Sequence, residues 1–156
     1  MSLTVVLVRH GEAKNKELGQ TDFERELTSW GKKALEDAFP KAMGLVEVTP
    51  ASELWVSSAV RARQTAEIAN KTLQIETCRE LKYLYDQDDE ALLEDLAATE
   101  ADVVVVVGHI PFMEDVCAEL CGQYVRFSTG GAAAITIDDK KRMRGRLQWF
   151  VQGPVA

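Results

Sequence analysis

Hydrophobic residues fall along this chain in two patterns, short continuous runs and helical spacings, and their alternation predicts the fold. Leu3 to Val8 (LTVVLV) is an unbroken apolar, β-branched run of the kind that forms a strand buried on both faces. A polar stretch from Arg9 to Glu26 follows. Thr28 or Ser29 then caps a helix starting at Trp30, with Ala34, Leu35 and Ala38 on its apolar side and Pro40 kinking or ending it. Leu54 to Ser57 reads as a second strand, Val60 to Leu73 as a helix with Ala62, Ala66 and Ala69 on one face, and Ile75 to Cys78 as a third strand. Asp88 to Ala98 is predicted helical, its acidic residues gathered at the N-terminus where the helix dipole favours them. Val103 to Val107, five consecutive valines, is the strongest strand signal. Pro111 opens a helix through Leu120, and Ala132 to Ile137 with Gly145 to Val151 form a hairpin around the turn Asp138–Arg144. The order β-α-β-α-β-α-β-α-β-β implies an α/β fold, a three-layer α/β/α sandwich on a mostly parallel mixed sheet.

Composition narrows the class. The 156 residues are expected to form one domain, residues 1–156, and a chain of that size buries roughly 70% of its unfolded surface. A hydrophobic content of 46% beside 28% charged residues excludes a disordered tail or a fibre. No apolar run approaches the ~20 residues needed to cross a bilayer, so no membrane partner is expected. The N-terminal run lacks a basic flank and a small-residue cleavage site, so a signal peptide is not expected either. Three cysteines are too few and odd in number for a disulfide framework, which together with the missing signals predicts a cytoplasmic protein. The net charge of −7 argues against nucleic acid as a partner. The sequence carries no sign of oligomeric state.

The two histidines of the chain rule out any metal site that needs three imidazoles, and no metal or cofactor is expected. Their positions carry more. His10 follows the first strand in Arg9-His10-Gly11-Glu12, and His109 follows the valine strand in Gly108-His109-Ile110-Pro111. Ligands of open α/β sheets sit beyond the carboxyl ends of the strands, so both imidazoles are predicted at the ligand edge. Arg61 reaches the same edge from the start of the helix after the second strand, in Ser57-Ser58-Ala59-Val60-Arg61-Ala62-Arg63-Gln64-Thr65. Guanidinium forks match the oxygens of a phosphoryl group, and a neutral imidazole is nucleophilic near pH 7. One histidine can accept a phosphoryl group while the other, with the arginines, neutralises its oxygens. Gly11 is expected to let the backbone approach the ligand.

These motifs, with Leu27-Thr28…Gly31, Ala118-Glu119-Leu120-Cys121 and Phe127-Ser128-Thr129-Gly130-Gly131, resemble the histidine phosphatase (phosphoglycerate-mutase-like) superfamily and, in it, the short SixA-type phosphohistidine phosphatases. The resemblance implies that His10 is the nucleophile that becomes phosphohistidine and that Arg9, Arg61 and His109 complete the phosphate pocket. Members that cleave phosphate esters add a carboxyl acid, and the position resembling it is Glu80, although the following Lys82-Tyr83-Leu84-Tyr85-Asp86 departs from the ester-cleaving pattern.

The implied partner is a phosphorylated protein of the histidine phosphotransfer type or a small phosphorylated substrate. An imidazole leaves phosphorus more easily than an alkoxide, so a phosphohistidine substrate needs no strong acid. The short stretch from Arg79 to Asp102 predicts no bulky lid and an open site. The alternatives are a phosphomonoesterase for a small metabolite and a non-catalytic module that binds a phosphorylated ligand. Ser128 to Gly131 fits a phosphate cradle or an ordinary turn equally well. Cys117 and Cys121, and the three tryptophans, read as packing residues.

Overall fold

The computed structural model describes residues 2–154 and contains six strands and five α-helices in them. In chain order these are β1 (Leu3–Arg9), α1 (Ser29–Met43), β2 (Ser52–Ser57), α2 (Val60–Leu73), β3 (Thr77–Leu81), α3 (Lys82–Tyr85), α4 (Asp89–Ala98), β4 (Val103–Gly108), α5 (Phe112–Cys121), β5 (Ala132–Asp139) and β6 (Arg144–Val151). One sheet holds all six strands in the order β3-β2-β4-β1-β5-β6. β1, β2, β3 and β4 pair in parallel, and β5 and β6 add antiparallel at one edge. This is the mostly parallel sheet flanked by helices that the sequence predicts.

The unbroken apolar runs follow from helices covering both faces. Successive side chains of a strand alternate between faces, so a strand covered twice must be apolar at every position. Val6, Val8, Val103, Val105 and Val107 pack with Leu35 and Phe39 of α1 and with Ala62, Ala66 and Ala69 of α2. Leu3, Val5, Leu7, Val104 and Val106 pack on the opposite face with Leu92 and Leu96 of α4 and with Val116 and Leu120 of α5.

Three expectations change. The helix expected to kink or stop at Pro40 continues to Met43. Proline removes the bond to the carbonyl four residues back, here Glu36, and both residues lie exposed, where water can take that carbonyl. Ala42 and Met43 are buried beyond it, so packing carries the last turn through. The third strand is Thr77–Leu81 rather than Ile75–Cys78. It is an edge strand, mostly exposed, and so lacks an apolar signature, while the buried Ile75 is a loop anchor bonded through its N–H and carbonyl to the side chain of Asn70. Trp30 is exposed, whereas Trp55 is fully buried. No helix among the described residues is long and apolar enough to cross a membrane.

Leu7 is fully buried between its register partners Val106 on β4 and Ala133 on β5. Leu7→Ala is expected to lower unfolding free energy by about 3 kcal/mol in urea titrations, since the close-packed sheet cannot collapse into the space; a loss below about 1 kcal/mol would contradict this packing.

Candidate active site

The register between the two central strands builds the site. Arg9 pairs with Gly108, so the next residue on each strand, His10 and His109, leaves the sheet at the same level. The N–H of His10 donates to the carbonyl of Gly108 at 3.0 Å, and the two imidazole centroids lie 5.1 Å apart. β2 ends alongside at Ser57, and the first turn of α2 brings in Arg61. Both rings and this guanidinium are deeply buried, with 9%, 4% and 6% of the residue surface exposed for His10, His109 and Arg61. The structure thus brings together Arg9, His10, Arg61 and His109, which line a pocket of about 400 Å³.

Neighbouring motif residues hold the His10 loop. Thr65 accepts the Gly11 N–H at 3.0 Å and donates back to the Arg61 carbonyl at 2.8 Å, locking that loop to α2. Thr28 caps α1 by accepting from the Gly31 N–H and donates to the Glu12 carboxylate at 2.7 Å. The Gly130 N–H donates to the carbonyls of Arg9 and His10, so Ser128 to Gly131 is a turn that braces the loop. Gly11 departs from expectation. A Cβ there would meet Leu35 of α1 at 2.7 Å, so the glycine admits helix packing, not ligand approach.

Hydrogen bonds fix both tautomers. His10 Nδ1 lies 2.7 Å from the Gly11 carbonyl, which only accepts, so Nδ1 carries the proton. Nε2 is left with its lone pair, toward which Arg61 Nε donates at 3.4 Å. His109 Nε2 lies 2.7 Å from Ser57 Oγ, whose oxygen accepts from the Ala59 N–H and whose O–H has no other acceptor among the described residues. The Ser57 hydroxyl therefore donates to Nε2, and the proton of His109 sits on Nδ1. Two buried side-chain polar atoms have no partner among the described residues, His109 Nδ1 and Arg9 Nε, and both residues line this pocket. Buried donors are normally satisfied, so two orphans on residues that line the pocket of His10 are free to meet an oxyanion.

Electrostatics keeps the rings neutral. Burial, reinforced by His109, Arg61 and Arg9 against the opposing pull of the Gly11 carbonyl, brings His10 down to about 3. Burial and Arg61 bring His109 down to about 4.

Two pocket residues carry no periodic signal. Asp22 lies in a 3-10 turn, Asp22–Glu24, that opens with the Thr21 N–H donating to the Glu24 carboxylate. Arg61 Nη1 and Nη2 donate to its carbonyl at 2.8 Å and its carboxylate at 3.0 Å, and Arg25 and Tyr85 donate to that carboxylate as well. Burial opposes the charged form, but the bonds from Arg25, Tyr85 and Arg61 outweigh it and hold Asp22 at about 2. Tyr85, from α3, sets its ring edge-to-face on His109 at 5.7 Å. The stretch from Arg79 to Asp102 therefore does reach the site, as a short wall. The Thr-x-x-Glu spacing from Thr21 to Glu24 is the one sequence signal that marks the Asp22 turn.

Glu80 is not brought into this cluster. It lies on β3, its side chain 57% exposed and 4.0 Å from Arg63. Alternation along β3 explains this: Arg79 stacks over Trp55 on one face, so Glu80 turns to the α2 face, where it lines a separate groove of about 480 Å³ with Arg63 and Glu67. That groove is larger but holds no imidazole and no buried cation. Cys117 and Cys121 have sulfurs 3.9 Å apart and stay free thiols. No group of three or more His, Cys, Asp or Glu among the described residues converges as a metal ion requires.

Known proteins share this architecture. The family model described as histidine phosphatase superfamily (branch 1) matches residues 5–88, from the first strand past Tyr85. The protein histidine phosphatase SixA complexed with tungstate superposes with a TM-score of 0.84 at 26% identity, over 96% of this chain and 97% of its own. A structure from Agrobacterium tumefaciens, assigned as the phosphohistidine phosphatase SixA, gives 0.80 at 28% identity, over 97% and 99%. Mycobacterial glucosyl-3-phosphoglycerate phosphatase gives 0.70 at 16% identity, over 99% and 100%, a likeness of fold alone. No curated protein matches the chain in sequence.

The tautomers are open to ¹⁵N NMR. Both imidazoles are expected to stay neutral, protonated on Nδ1, from pH 8 down to about pH 5, because both pKa values lie well below the reference value of ~6.5. A folded pKa below the unfolded one means that the unfolded chain binds more protons in between. Stability from these groups is therefore fully present above about pH 6.5 and is lost as pH falls toward about 4 and then 3. A titration midpoint near 6.5, or protons on Nε2, would contradict the assignment.

Proposed function

The chain belongs to the histidine phosphatase superfamily (branch 1), and from that membership we propose that it removes phosphoryl groups from phosphohistidine on another protein, through a phosphohistidine intermediate on His10. The observation that carries this reading is the pair of orphaned buried donors, Arg9 Nε and His109 Nδ1, on residues that share a pocket with His10, whose Nε2 keeps its lone pair. A tetrahedral phosphoryl group satisfies all three at once, with its phosphorus facing Nε2 and its oxygens on the donors.

In the first step His10 Nε2 attacks phosphorus as the bond to the substrate imidazole breaks. The electron pair of that bond returns to the leaving nitrogen, and a substrate ring protonated on its other nitrogen departs neutral. Arg9, Arg61 and His109 stabilise the charge on the equatorial oxygens. Arg61 is already turned toward this point, and an entering phosphoryl group competes with Asp22 for its outer nitrogens. In the second step water attacks phosphorus, the Nε2–P bond breaks, and phosphate and a proton leave. The Gly11 carbonyl holds the His10 ring in the attacking tautomer throughout, and Ser57 does the same for His109 as donor.

Leaving-group chemistry favours phosphohistidine over an ester. An alkoxide needs a proton donor in the transition state, whereas a protonated phosphoimidazole does not. The carboxyl group lining the pocket is Asp22, held near 2 and so ionised at neutral pH, and Glu80 faces a different groove. The two SixA structures, similar to this chain over nearly their whole length, support the same substrate class.

Labelled substrate tests the reading. An acid-labile phosphoryl label is expected on the wild type and absent from His10→Ala, and a phosphohistidine protein should turn over at least about 100-fold faster than a phosphoserine protein. Activity retained in His10→Ala would overturn the intermediate. Faster cleavage of a small phosphate ester would overturn the substrate.

A further inference from the structure

Glu114 is the one buried carboxylate among the described residues, 8% exposed, and neither step above uses it. It stands in the first turn of α5, five residues after His109, where the helix dipole favours a negative charge. Its Oε2 accepts the Phe127 N–H at 3.0 Å, and its Oε1 accepts the Tyr124 hydroxyl at 3.1 Å. The carbonyl of the same Phe127 accepts Arg9 Nη1 at 2.8 Å. One peptide segment, from residue 124 to 127, is thus gripped by Glu114 on its donor side and grips Arg9 on its acceptor side.

We propose that Glu114 is a positioning residue for the oxyanion pocket, acting through the backbone of Phe127 to aim Arg9 so that its Nε faces the phosphoryl group. Arg9 has no carboxylate within salt-bridge distance among the described residues, unlike Arg61, which pairs with Asp22. Its guanidinium is oriented instead by a backbone carbonyl, and a carbonyl is only as well placed as the peptide that carries it. Phe127 is itself buried, its ring edge-to-face on Phe150 at 5.5 Å, so the segment has a fixed seat. Glu114 also supplies charge: burial draws the Arg9 pKa below its usual range, and the negative charge of Glu114 opposes that. Placed on the helix that follows His109, this carboxylate ties the second histidine's strand end to the first strand's arginine.

The inference rests on the oxyanion reading of the pocket, and tungstate affinity measured by calorimetry separates the two. Glu114→Gln is expected to weaken tungstate binding about tenfold, the usual worth of a charge-assisted hydrogen bond. In an Arg9→Met background the same substitution is expected to change affinity by less than about twofold, because its effect passes through Arg9. Tyr124→Phe removes one hydrogen bond at an exposed site and should fold normally, so it provides a second test. It should weaken binding by about twofold in the wild type and leave Arg9→Met unchanged. Glu114→Gln or Tyr124→Phe effects that persist undiminished in Arg9→Met would overturn the positioning role while leaving the pocket intact. Absence of tungstate binding by the wild type would overturn both.

Discussion

The parallel register of β1 against β4 is the constraint from which the site follows. Arg9 opposite Gly108 means that two histidines ninety-nine residues apart leave neighbouring strands at one level, with a backbone hydrogen bond from His10 to Gly108 closing the step between them. A slip of one residue would turn one imidazole to the other face of the sheet and undo the pair. The register is held because the apolar residues of both strands, Leu3, Val5 to Val8 and Val103 to Val107, are seated on one face under α1 and α2 or on the other under α4 and α5. The hydrophobic core thus sets the distance between the two imidazole rings, and the loops only lock what it sets.

Burial then gives the rings their chemistry. An imidazole in water is half protonated near pH 6.5. Two imidazoles under a sheet edge, among Arg9, Arg25 and Arg61, stay neutral far below that. The neutral form is the one that has a lone pair to attack phosphorus, and the Gly11 carbonyl decides on which nitrogen that lone pair stands. The chain as a whole carries −7, yet the pocket is cationic, since the acidic residues are spread over the surface while three arginines converge here. Asp22 pairs with Arg61 within the pocket and leaves Arg9 Nε and His109 Nδ1 unpartnered.

Much of this was legible in the sequence for a physical reason. Strands covered on both faces must be continuous apolar runs, so β1 and β4 announce themselves, and whatever follows them is placed at the ligand edge. The placements of Arg9, His10 and His109 follow from that rule, and that of Arg61 from the start of the helix after β2. β3 is an edge strand covered on little of its surface, which is why the pattern placed it too early and left Glu80 between elements instead of on a strand facing away from the histidines. Asp22 and Tyr85 enter the pocket from a 3-10 turn and a four-residue helix, elements too short to show a period, and although the Thr21 to Glu24 spacing marks the turn, only tertiary contacts bring either residue to the histidines. Gly11 was legible as a glycine that something approaches closely, but the approaching group is Leu35. A lone sequence shows that space is needed and not which neighbour needs it.

In the proposed reading, His10 Nε2, His109 Nδ1 and Arg9 Nε form one receptor for a phosphoryl group. A crystal structure with vanadate tests it most directly. Vanadium is expected to be bonded to His10 Nε2, with equatorial oxygens accepting from His109 Nδ1 and Arg9 Nε and with Nδ1 of His10 still bound to the Gly11 carbonyl. Vanadate bonded through His10 Nδ1, or seated with either orphaned donor still unpartnered, would contradict it.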